Sequence, residues 1–399
     1  MRRARLLGLC ALLALAGCET LRPPPAPPPV PKPPPPKEVP AAKPSAAGLL
    51  RQAAWQELPE WQEENPALAW KPFLASCRAL AKQEAWRGVC AAAENITEPG
   101  REQARRFFEL NFMPYRVTRA DGGEEGLITG YYEPLLKGSR TPSARYRHPV
   151  YGLPDDLLVV DLTDVYPELR GMRLRGRLDG RRIVPYYDRA QIDQGRGALA
   201  GREIVWVDDP IELFFLQIQG SGRIALDSGE ILRVGYADQN GHPYRSIGRL
   251  LVELDELPLE KASMQGIKAW ARANPGRVTE LLNHNASYVF FRELPADLPG
   301  PLGALGVPLT ARRSVAVDPG LVPLGAPVYI ATTWPLSPRP LNRLMLAQDT
   351  GGAIRGAVRV DFFWGFGDEA AREAGRMRQP LRMWVLLPNA FRVPGSDNP

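Results

Sequence analysis

Apolar positions change period three times along the chain. Between Leu49 and Glu109, Trp55, Trp61, Phe73, Leu74, Leu80, Trp86 and Val89 recur at roughly helical spacing, and Arg101 to Leu110 forms a further short amphipathic stretch. Such a stripe predicts helices that bury one face, with the tryptophans as core before any sugar-stacking role. After Asn111 the period shortens. GLITGYYEPLLKGS, at Gly126–Ser139, is rich in β-branched and aromatic residues. From Arg145 to Leu282 short apolar runs are punctuated by Gly and Pro. That pattern predicts hairpins, one of them turning at Asp179-Gly180. In EIVWVDDPIELFFLQIQGSGRIAL the alternation predicts a strand carrying Gln217 and Gln219 on one polar face before a Gly-Ser-Gly turn. Gln265 to Leu282 reads as helix, and Asn283 to Phe291 returns to strand. The remainder reads as all-β, ending in a strand at Leu381–Leu387.

Within this last part three aspartates share one local setting. Asp318 follows an apolar run and precedes Pro-Gly; Asp349 follows LMLAQ and precedes Thr-Gly-Gly; Asp361 lies within the apolar run VDFFWG. A short strand feeding a Gly-rich turn places an acid where a ligand can approach the backbone. One such Asp is ordinary turn chemistry. Three in one module point to a site. Tyr131, Tyr132 and Glu133, beside Thr129, set rings next to a carboxylate, a combination suited to sugars. Asp227-Ser228-Gly229 and Asp349-Thr350-Gly351 are also both D-[ST]-G, the triplet of aspartic proteases. The Asp227 surround has the look of a plain hairpin turn, and the two surrounds lack a repeated apolar frame.

The first residues carry addressing information. Arg2, Arg3 and Arg5 precede an apolar run from Leu6 to Ala16, which is a secretory leader and too short to span a membrane. Leu15-Ala16-Gly17-Cys18 resembles the lipobox of bacterial lipoproteins. That resemblance implies removal of residues 1–17, lipid on Cys18 and, since Glu19 rather than Asp follows, an outer-membrane address facing the periplasm. Thirteen prolines in the twenty-two residues from Pro23 to Pro44 predict a polyproline II tether within residues 18–47. Loss of the leader brings the formal charge from +6 to +3, too little and too dispersed for nucleic acid. Of four cysteines, Cys77 and Cys90 remain in the exported body, where two thiols predict a disulfide. His148, His242 and His284 match no zinc spacing, so neither metal nor other cofactor is expected.

Taken together, GYYEP at 130–134, PYYDR at 185–189, QIQGSGR at 217–223, GYADQNGHPYRSIGRLL at 235–251, NASYVFFREL at 285–294, AVDPGLVPLGAPVY and AQDTGGAIRGAVRVDFFWG resemble the membrane-bound lytic murein transglycosylase A family with its three-Asp "3D" module. The resemblance runs from Trp55 to Leu387. It implies a mainly β fold with N-terminal helices: a double-psi β-barrel domain interrupted by a second, mostly β domain, with a large groove between them. The barrel domain would be 48–144 with 283–399, its 3D module within 300–390, and the insert 145–282. It implies a lyase that cuts the β-1,4 bond between N-acetylmuramic acid and N-acetylglucosamine with formation of a 1,6-anhydro ring. Asp349 would be the general acid/base, with Asp318 and Asp361 in support. Thr129, Tyr131, Tyr132, Glu133, Gln217, Gln219, Ser221, Tyr236, Asn285 and Ser287 would bind the glycan strand. A monomer is expected, in contact with glycan strands and the membrane and open to wall-synthesis complexes. A non-catalytic peptidoglycan-binding scaffold is the alternative.

Overall fold

The computed structural model describes residues 49–169 and 172–392; the leader, Cys18 and the Pro-rich segment lie outside the described residues. Three helices, Trp70–Leu80, Glu84–Glu94 and Arg101–Asn111, follow the aromatic stripe, and Trp61, Trp70, Phe73, Trp86 and Phe108 are buried in one core. Their rings meet one another, as where Trp70 and Phe107 lie edge to face at 4.8 Å. A disulfide joins Cys77 of the first helix to Cys90 of the second.

This core is shared with a closed ring of strands. Gly126–Glu133, Arg378–Pro388, Pro327–Thr333, Pro340–Asp349, Ser314–Ala316 and Arg359–Phe366 pair in that order, and the last returns to the first. Two pairings are parallel, Ser314–Ala316 with Pro340–Asp349 and Arg359–Phe366 with Gly126–Glu133; the others are antiparallel. Closure removes both sheet edges. Two further strands, Phe112–Val117 and Leu50–Gln52, extend the sheet from Arg378–Pro388. The C-terminal part is not all-β: Gly367–Arg376 is an α-helix, amphipathic by virtue of buried Ala370 and Ala374.

A second sheet has six strands in the order Val289–Leu294, Ile231–Gln239, Ser221–Leu226, Leu135–Ser139, Glu203–Val207 and His148–Tyr151. Its strands therefore begin at Leu135 and end at Leu294, outside the 145–282 span expected for the insert. A third sheet is small: Leu158–Val159, Arg175–Asp179 and Arg182–Pro185. The hairpin there pairs Asp179 with Arg182, so its two-residue turn is Gly180-Arg181, one position later than the Asp-Gly pair suggests.

The larger correction concerns Gln217 and Gln219. Residues Pro210–Gln219 form an α-helix rather than a strand. Asp209 caps it by accepting from the N–H groups of Ile211 and Glu212, Pro210 fills the first turn, and Gly220 ends it at φ +77°. Those stop and start signals outweigh a dense apolar run that has no clear period. Helical placement sends the two amides in different directions.

Candidate active site

Register, rather than sequence proximity, assembles the acids. Asp349 is the last residue of Pro340–Asp349, and Ala316 pairs with Asp349 on one side and with Asp361 on the other. Asp361 in turn faces Thr129. Adjacent strands lie ~4.8 Å apart, so one row of the barrel wall carries both acids about two strand spacings from each other. Thr129 and Tyr131, two apart on Gly126–Glu133, share one side of the sheet, opposite Ile128 and Tyr132, which pack into the large core. Thr129 donates its hydroxyl to Asp361 Oδ1 at 2.7 Å, and Tyr131 donates to Asp349 Oδ2 at 2.9 Å.

The Asp349 carboxylate has three donors. Besides Tyr131, the backbone N–H of Thr350 at 2.9 Å and of Ala304 at 3.0 Å both reach Oδ1. The Ala304 contact depends on Gly303, since a Cβ there would lie 2.4 Å from the carbonyl oxygen of Gln348. Gln348 itself is fully buried and accepts from Ser314 Oγ while donating to Ser76 Oγ and the Pro72 carbonyl. The first helix thereby fixes the strand end that bears Asp349.

Burial pushes the Asp349 carboxyl above the usual carboxylate range, against the three hydrogen bonds and the charge of Arg173. Burial also lifts Asp361, to about 6, with Thr129 and Arg359 pulling down and the Asp349 charge pushing up. Tyr131, packed on Phe363 at 5.1 Å, is driven far above its ordinary value by burial and by the Asp349 charge. Two carboxyls raised by burial on one wall are placed to deliver a proton to a substrate oxygen. Asp318 has a different setting. It accepts from the N–H groups of Gly320 and Gly356 and lies 3.9 Å from Arg355, so it ties the loop after Asp349 to the loop after Ser314–Ala316.

The remaining expected residues divide. Glu133 is 1% exposed and pairs with Arg223 at 2.9 Å and Arg233 at 3.4 Å, both on the second sheet. It bonds the barrel to that sheet and presents nothing to a ligand. Tyr132 is buried, and its N–H donates to Gln219 Oε1. Gln217 is buried and accepts from Arg189, which also donates to the carbonyls of Asn285 and Ser287. Asn285, also buried, accepts from the N–H groups of Arg245 and Ser287. Arg189 thus gathers three of the expected binding residues into one scaffold, a role that the PYYDR motif contains but its pattern does not reveal. Ser221 is 9% exposed, whereas Tyr236 is 37% exposed and donates to Asp238. Asp227 lies in the exposed turn between Ser221–Leu226 and Ile231–Gln239 and makes no pair with Asp349, which removes the basis of the protease reading.

The family model "MltA specific insert domain" matches residues 127–292, and "3D domain" matches 313–387. Membrane-bound lytic murein transglycosylase A of Escherichia coli K12 is 32% identical over 302 residues, 74% of this chain and 73% of that protein. The chain belongs to the membrane-bound lytic murein transglycosylase A family. The Vibrio cholerae protein of the same name is 31% identical over 276 residues, 66% of this chain and 67% of its own length. Among solved structures, MltA of Neisseria gonorrhoeae is 42% identical, with a TM-score of 0.74 over 86% of this chain and 93% of that one. E. coli MltA with bound chitohexaose is 26% identical, with a TM-score of 0.64 over 86% of this chain and 95% of that one. The two family matches lie within residues 127–387, and the gonococcal structure covers 86% of the chain.

Proposed function

We propose that the chain is a peptidoglycan lytic transglycosylase in which Asp349 is the single acid–base. Membership of the family supports the reaction class. The observation that carries the residue assignment is a carboxyl raised by burial at a strand end, with one oxygen saturated and the other available. Oδ1 takes two N–H donors. A proton on Asp349 therefore resides on Oδ2, beside the Tyr131 hydroxyl.

A hydrolysing glycosidase needs two carboxyls, one for the leaving oxygen and one for water or for attack on C1. Intramolecular attack by the C6 hydroxyl of N-acetylmuramic acid removes the second requirement, since the nucleophile is already held beside C1. Asp349 Oδ2 protonates the glycosidic oxygen as the C1–O bond breaks. The carboxylate so formed takes the C6–OH proton as O6 bonds to C1. Asp349 ends protonated, as it began, and no water is consumed. Asp361, when ionised, supplies negative charge along the same wall for the positive charge developing on the sugar. Asp318 holds the loops that frame the acid.

The closed ring with two parallel pairings is read as the double-psi barrel, and the second sheet as the facing wall of a groove that binds glycan. On that wall Tyr236 offers an accessible ring for stacking, with Ser287 beside the Arg189 scaffold; Gln217, Asn285 and Gln219 act as supports. Lipid on Cys18 and the Pro-rich tether would hold this body at the periplasmic face of the outer membrane. Among the described residues no helix is long and apolar enough to cross a membrane. The test is Asp349→Asn, which keeps the shape and the donors of the site. Purified variant should bind glycan strands and release no product. Retained turnover refutes the assignment, and a wild type that binds murein without cutting it favours the scaffold reading.

A further inference from the structure

Arg173 immediately precedes Arg175–Asp179 of the third sheet, and its charge is felt at Asp349. Its position is built. The ladder between Leu158–Val159 and Arg175–Asp179 continues through the N–H of Val160 to the carbonyl of Leu174, so the chain is extended there. Arg173 and Arg175 consequently project to the same side. Arg175 is anchored by Asp238, its Nε donating to both carboxylate oxygens at 3.0 and 2.9 Å. Tyr236 also donates to Asp238 Oδ1, at 3.3 Å. Arg173 then lies over the Tyr236 ring, its guanidinium carbon 6.0 Å from the centroid. It is exposed, and no described carboxylate pairs with it.

An arginine without a partner at this place works against the reaction. Its charge favours the ionised form of Asp349 and, for a sugar stacked at the Tyr236 ring, repels the positive charge that develops at C1. Both effects vanish when an anion neutralises it, and the guanidinium fork matches a carboxylate. On the transglycosylase reading given above, we propose that Arg173 is a specificity-determining residue that pairs with a carboxylate of the substrate's muramyl side. Two sources share that chemistry: the lactyl carboxylate of peptide-free muramic acid, and a carboxylate of the stem peptide attached to it.

The test compares wild type, Arg173→Ala and Arg173→Lys on three soluble glycan preparations. These are peptide-free strands, the same strands with lactyl carboxylates converted to methylamides, and peptide-bearing strands. The readout is kcat/KM for anhydro product on each, expressed relative to the methylamide strands. Wild type should prefer at least one carboxylate-bearing strand by roughly tenfold, the scale of one charged hydrogen-bonded pair. Arg173→Ala should bring that ratio close to one, and Arg173→Lys should retain part of it. A collapse confined to peptide-free strands assigns the lactyl group, and one confined to peptide-bearing strands assigns the stem. Equal rates for wild type on all three, or an equal loss on all three in Arg173→Ala, overturns the proposal while leaving the reaction class intact. Absence of anhydro product from every strand in wild type overturns the transglycosylase reading, and this pairing with it.

Discussion

Tyr131→Phe isolates the tuning of the acid from its placement. The ring stays packed on Phe363, and only the hydroxyl that lies 2.9 Å from Asp349 Oδ2 is lost. That hydroxyl is one of three donors to the carboxylate, and the other two, from Thr350 and Ala304, are backbone groups that the substitution does not touch. A hydrogen bond to a charged group contributes about 1.5–3 kcal/mol, and ~1.4 kcal/mol corresponds to one pH unit. Because the donor favours the ionised carboxylate, its loss keeps Asp349 protonated to higher pH. The alkaline limb of kcat should therefore move upward by about one to two pH units, with a stability cost of ~1 kcal/mol. The assay is anhydro-product release from murein strands across pH for wild type and variant, with urea unfolding as the control for folding. A limb that stays in place, or moves to lower pH, refutes the claim that Asp349 acts as the acid through Oδ2.

Asp361→Asn should stabilise the fold in a pH-dependent way. Native Asp361 holds its proton up to about 6 against 3.8 for a free group, so wild type loses stability as pH rises through that window. The variant's advantage in urea midpoint should be small near pH 4 and grow to roughly 2–3 kcal/mol by pH 7; an advantage that does not vary with pH contradicts it. Glu133→Gln leaves Arg223 and Arg233 without their shared partner and should cost about 3–5 kcal/mol by chemical denaturation. Replacing both Cys77 and Cys90 by Ser should cost ~2–4 kcal/mol, seen as a lower melting temperature that added reductant does not lower further.

Local pattern carried the helical N-terminal region and the acids, because each announces itself within a few residues. The Trp and Phe stripe has the helical period, and each aspartate adjoins an apolar run and a turn. Legibility failed where information is split across the chain. Closure of the barrel pairs Gly126–Leu127 with Pro380–Leu381, and no local feature of either segment names its partner. Asp349 and Asp361 become neighbours only through Ala316, and Ala304 reaches Asp349 only because Gly303 lacks a side chain. Glu133 looked like a ligand group because it follows two tyrosines, yet the crossing point of two sheets needs a buried charge to meet Arg223 and Arg233. Gln217 and Gln219 were misplaced for another reason. Asp209-Pro210 and Gly220 are helix boundaries readable in the sequence, but the apolar run between them has no period to enforce the reading.

The single-acid mechanism is tested most directly by the mass of what leaves the wall. Residues 48–399 should be incubated with purified murein sacculi and the released muropeptides weighed. The single-acid mechanism predicts products one water lighter than the hydrolysed forms, from the wild type and not from Asp349→Asn. Products that carry a reducing-end hydroxyl would mean that water attacked C1, and that Asp349 does not work alone.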